Sequence, residues 1–80
     1  PSWTAQAVER REARALVAAA LDRLDHPKRE VFVLHELEGW SVAELEPILE
    51  VPLNTLYSRL RLARKAFAAA VRDLQQGDDR

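Results

Sequence analysis

Eighty residues make one domain at most, and 48% apolar against 31% charged residues allow a real but small core. The absence of cysteine excludes disulfide staples and thiolate metal sites, and no apolar run approaches the roughly 18 residues of a membrane span. A net charge of −1 argues mildly against a nucleic-acid binder taken as a whole, yet the charge is unevenly placed. From Glu30 to Glu50 there are six glutamates and no lysine or arginine, whereas Pro52 to Gln76 carries Arg59, Arg61, Arg64, Lys65 and Arg72 against Asp73 alone. An acidic middle therefore meets a basic C-terminal element, which is either a solvated face or a local field that favours phosphate. No signal-peptide pattern opens the chain, so a soluble, cytoplasmic, monomeric protein is expected. A start at Pro1 and the lack of methionine read as a segment of something longer.

Alanine and leucine dominate the apolar content, and the pattern predicts four helices. The first spans about residues 4–24, with Ala13, Leu16, Val17, Ala20, Leu21 and Leu24 at the three-and-four spacing of one buried stripe. Ser2 or Thr4 is its candidate cap. Trp3 ahead of it is either a linker residue or a docking anchor. Pro27 ends that helix and suits the first turn of a second, about residues 27–38, whose inward residues are Val31, Leu34 and Leu37. Gly39 stops the second helix as a C-terminal glycine does. The third covers about residues 42–49 and has the clearest start in the chain. Ser41 with Glu44 three residues on forms a capping box, followed by Leu45, Ile48 and Leu49. Pro47 inside it deletes a backbone hydrogen bond, so a bend or an early end is expected there. The fourth and longest covers about residues 53–75, with Leu53, Leu56, Leu60, Ala63, Phe67, Ala70 and Leu74 inward. The tail from Gly77 to Arg80 is expected to fray.

The segment from Ser41 to Leu62 follows a helix-turn-helix plan: a short capped helix, a tight break at Glu50-Val51-Pro52, and a longer helix with basic residues outward. In that plan the second helix enters the major groove and the first braces it. With the apolar positions inward, the outward face is Asn54, Ser58, Arg61 and Lys65, flanked by Tyr57, Leu62 and Arg64. Asparagine and arginine read adenine and guanine bidentately, while serine and lysine suit phosphates. Two helices at such an angle also occur in packing modules, so protein contact stays open beside DNA contact. Arg59 lies nearer the core flank, where DNA contact competes with pairing to a glutamate of the third helix. Thr55 is read first as a cap and second as a phosphate contact. Trp40 reads as a core or rim filler. His26 and His35 lack metal-ligand spacing, and no nucleophile or glycine-rich loop supports catalysis, so neither metal, cofactor nor enzyme activity is expected.

Three ordered stretches carry a family resemblance. Leu24 to Leu34 (LDHPKREVFVL) is similar to the "LP…REVF.L" opening of region 4 in extracytoplasmic-function (ECF) sigma factors. Glu36 to Leu45 (ELEGWSVAEL) is similar to their "ELEGLSYEEI" first helix, and Val51 to Leu60 (VPLNTLYSRL) followed by Ala63-Arg64 to "VPVGTVKSRL..AR", their recognition helix. The resemblance runs from about Val8 to Val71. It implies an all-α, four-helix compact domain with a C-terminal helix-turn-helix and no wing, recognition of the minus-35 promoter element, and docking on the β-flap of RNA polymerase. It also implies an anti-sigma factor as a partner of region 4. The companion region 2 is not in this chain. The residues the resemblance assigns to DNA are Asn54, Thr55, Tyr57, Ser58, Arg59, Arg61, Leu62, Arg64 and Lys65. Four positions depart from the pattern. Tyr57 and Leu62 stand where basic residues are usual, and Asn54 and Glu50 where glycine is. The rival reading is a helix-turn-helix that binds a protein through Tyr57, Leu62 and the acidic helices. The output domain of a response regulator is a third option that fits the opening motif less well.

Overall fold

The computed structural model describes residues 4–77. Ser2, Trp3 and the tail from Asp78 lie outside the described residues. The element order is α1 (Ala5–Leu21), α2 (His26–Phe32) running into a π-helical turn (Val33–Leu37), α3 (Val42–Leu49) and α4 (Leu53–Gly77). The described residues contain no strand. α4 is the common partner: α1, α2 and α3 each pack against it. At ~1.5 Å per residue its 25 residues span roughly 37 Å, and they set the long dimension of a slab measuring 44 × 31 × 14 Å.

Each helix start has a local cause. The Thr4 hydroxyl accepts the Ala7 N–H at 3.3 Å to open α1. Asp25 opens α2 by accepting the Lys28 N–H at 3.1 Å, with Pro27 in the first turn where its missing N–H costs nothing. Ser41 and Glu44 form the reciprocal capping box of α3, at 3.1 and 3.0 Å. The helix ends are less regular than the sequence suggests. α1 closes at Leu21 rather than Leu24, because Arg23 and Leu24 tighten into three-residue turns on Ala20 and Leu21. Arg29 reaches back from α2 to hold that end: its Nε donates to the Leu21 carbonyl at 3.0 Å and its Nη2 to the Leu24 carbonyl at 2.9 Å. A charged donor thus adds to the hydrogen bonding of the carbonyls at this helix end.

The second helix does not stay α-helical to residue 38. From Val33 it widens to π geometry, with the Glu38 N–H on the Val33 carbonyl and the Trp40 N–H on the Leu34 carbonyl. Gly39 ends it at φ +89°. His35 Nδ1–H donates to the Trp40 carbonyl at 2.7 Å across that turn, and Trp40 itself is a 40% exposed rim residue rather than core. Pro47 does not cut α3 short. The helix continues for two residues and closes at Glu50, a non-glycine residue in the left-handed region at φ 57°, ψ 42°.

The core gathers Leu24, Val31, Phe32, Val42, Leu45, Leu56, Leu60 and Ala63, with Phe32 and Phe67 stacked at 4.6 Å between α2 and α4. Two residues assigned to inward stripes are exposed: Ala13 on α1, and Leu37 at 54%. The π turn rotates Leu37 off the α-helical stripe. α1 contributes only Ala20 to the fully buried set, and among the described residues 5–12 all but the half-buried Ala7 are exposed.

Candidate nucleic-acid interface

α3, the turn Glu50-Val51-Pro52 and α4 form the helix-turn-helix, with Leu45 and Leu56 at 0% exposure beneath the turn. With Leu56, Leu60 and Ala63 fixed inward, the ~100° per residue of an α-helix turns Asn54, Ser58, Arg61 and Lys65 to one outward arc. All four are exposed, as are Thr55, Tyr57, Leu62 and Arg64 on its flanks, whereas Arg59 is half-buried. Tyr57 at 55% and Leu62 at 43% exposure leave apolar surface on opposite flanks of that arc.

Several of these side chains already have partners. Arg64 forms an ion pair through Nε with Glu36, 28 residues earlier, because the π turn brings that carboxylate to α4. Arg59 faces the α1–α2 junction rather than a glutamate of α3, and shares a shallow groove of about 310 Å³ with Asp25, Pro27, Lys28, Thr55, Ser58 and Leu62. Lys28 donates to Asp25 at 2.8 Å. Hydrogen bonds from the Lys28 side chain and then its backbone N–H, helped by the charges of Lys28 and Arg59, hold the Asp25 carboxyl below its ordinary value. Ser41, through its backbone N–H and then its hydroxyl, does the same for Glu44.

The start of α4 corrects the expected role of Thr55. Its hydroxyl caps nothing; the first free N–H of the helix, from Leu53, is taken by Glu46 Oε2 at 2.8 Å. The Thr55 N–H is taken by the neighbouring Asn54 Oδ1 at 2.9 Å. The Asn54 NH₂ donors and the second lone pair of Oδ1 have no partner among the described residues, and these are the two functions that bidentate reading of adenine uses. Lys28 and Glu46 were both missed from sequence. Lys28 sits near the opening motif, but its closeness to Ser58 and Arg59 depends on how α2 packs on α4. Glu46 reads as one more solvated glutamate until the turn folds it back on α4.

A braced recognition helix with a polar, partly basic face is the geometry of a DNA-reading helix-turn-helix. The model of the family "Sigma-70, region 4" matches residues 14–67, two thirds of the chain and all of the helix-turn-helix through Phe67. The chain belongs to the sigma-70 region 4 family. Neither the curated proteins nor the solved structures compared with it returned a match. Membership makes this chain a DNA-binding domain of a transcription initiation factor, of the kind that recognises the minus-35 promoter element, and region 4 is not a catalytic family. Among the described residues no helix is long and apolar enough to cross a membrane.

Proposed function

We propose that this region 4 serves an ECF-type sigma factor and reads its minus-35 element by inserting the N-terminal half of α4 into the major groove. Asn54, Ser58 and Arg61 face base edges; Thr55, Arg59, Arg64 and Lys65 serve the phosphates; Tyr57 and Leu62 contribute apolar contact to sugars or thymine methyls. The observation that carries this reading is the exposed outward arc Asn54–Ser58–Arg61–Lys65 on a helix braced by α3. An outward Arg61 suits guanine, whose major-groove edge presents two acceptors to one guanidinium fork. Docking on the β-flap of RNA polymerase belongs to the same proposal. It uses exposed apolar residues outside that arc, among them Leu37, Trp40 and Ile48. Tethering to polymerase supplies the affinity that a net charge of −1 withholds from the isolated domain.

A fluorescence-anisotropy titration tests the reading, with a duplex carrying the minus-35-like element GGAAC and a scrambled control at low and moderate salt. Native chain is expected to prefer the first duplex and to weaken as salt rises, and Arg61→Ala is expected to lose about 1–3 kcal/mol of discrimination. Absence of binding even at low salt overturns DNA recognition by the isolated domain. It would favour the second reading, in which exposed Tyr57 and Leu62 form a face for a protein such as an anti-sigma factor.

A further inference from the structure

Glu46 touches both ends of the helix-turn-helix turn. Its backbone carbonyl accepts the Glu50 N–H at 2.9 Å, which closes α3. Its carboxylate accepts the Leu53 N–H at 2.8 Å, which opens α4 seven residues later. Between these two bonds lie Glu50, held in the left-handed region at φ 57°, and Pro52, which has no N–H to offer. The turn therefore contains one strained residue and one residue without a donor, and Glu46 spans both. Its carboxylate also occupies the positive end of α4, where an anion is favoured. Of the two further N–H groups in that first turn, those of Asn54 and Thr55, the Thr55 N–H is taken by Asn54 Oδ1.

We propose that Glu46 is a positioning residue for sequence reading: by bridging the turn it fixes the angle at which α4 presents Asn54, Ser58 and Arg61. This rests on the DNA reading above and adds a residue that touches no base. A recognition helix free to rock at its N-terminus keeps its phosphate contacts, which tolerate displacement, and loses base contacts, which do not. The Glu46 bridge thus governs the ratio of affinities for right and wrong sequences, whereas its charge acts on both alike.

Two conservative variants of the whole chain separate reach from charge. Glu46→Asp keeps the charge and is one methylene too short to reach Leu53. Glu46→Gln keeps the reach and an acceptor oxygen and loses the charge. Each is titrated against a duplex that the native chain has enriched from a randomised pool, and against its scrambled version. Amide exchange at Leu53 is followed by NMR alongside. The expected result for Glu46→Asp is faster exchange at Leu53 and a roughly tenfold loss of preference, about one base contact's worth, with binding to the scrambled duplex unchanged. Glu46→Gln is expected to keep both the protection and the preference while binding the two duplexes more tightly by the same factor. The reverse pattern, with preference kept by Asp and lost by Gln, assigns Glu46 an electrostatic role and overturns the proposal. So does a Leu53 amide that exchanges equally fast in all three chains. Either outcome leaves the native preference intact, and so the promoter reading; a native chain that enriches no sequence overturns that reading and the role of Glu46 within it.

Discussion

α3 is bounded by two turns that solve the same problem with different residues. The turn before it puts Gly39 at φ +89°, and the turn after it puts Glu50 at φ 57°. Glycine enters that region without steric cost, whereas an L-residue with a Cβ gives up about 1–2 kcal/mol. The first turn can therefore rely on its backbone, with His35 and the Ser41–Glu44 box as support. The second turn holds a strained residue and is secured by Glu46 on Leu53 and by the buried Leu45 and Leu56 below. The turn that aims the recognition helix is thus the one that depends on side chains. It is also the turn where the chain departs from the glycine of the family pattern.

Removing the packing shared by both turns gives the largest effect. Leu45 is fully buried between them, and Leu45→Ala is expected to cost about 2–5 kcal/mol, read as a lowered denaturant midpoint. Gly39→Ala comes next. A Cβ there meets nothing within 4 Å, so the whole loss of about 1–2 kcal/mol is backbone strain, or some 4–8 °C of melting temperature per kcal/mol. Glu50→Gly has the opposite sign. Relief of strain outweighs the added freedom of the unfolded chain, and calorimetry is expected to show a gain of about 0.5–1 kcal/mol. A loss on Glu50→Gly together with a neutral Gly39→Ala would show that neither turn is governed by its φ angle. The smallest effect is that of acid. Asp25 and Glu44 have folded pKa values below their ordinary ones, so the stability they add is present above about pH 4 and is lost as pH falls through the depressed folded values. Melts at pH 6 and pH 3 are expected to show a modest decline. Glu44→Gln should blunt its α3 share and leave the Leu53 amide unaffected.

What could be read from the sequence was local. The Ser41–Glu44 box, the Gly39 stop, the opening at Thr4 and the inward residues of α4 are each set by neighbours within one or two turns, and short-range chemistry suffices to find them. The outward arc of α4 followed because its buried arc was regular. The rest depended on contacts between distant segments. A π turn needs only one extra residue per turn and has no compositional mark, so Leu37 was placed inward when it faces out. Arg64 and Glu36, Arg29 and Leu21, and Glu46 and Leu53 meet only after helices cross or a turn folds back. Ala13 had the right spacing for a buried stripe, but the covering neighbours stop short of it. Periodicity tells which face is apolar, not how far along the helix a partner reaches.

The Glu36–Arg64 pair changes how many ions DNA binding should release. A cation that moves from solvent to a phosphate frees a counterion from the duplex, and the slope of log affinity against log salt counts such events. Arg64 starts with a carboxylate beside it. When it turns to DNA, Glu36 is left bare and gathers a cation from solution, so the counterion freed at the phosphate is partly recaptured at the protein. The slope therefore falls short of the number of arginines and lysines that touch the duplex, and Glu36→Gln steepens it without adding a contact.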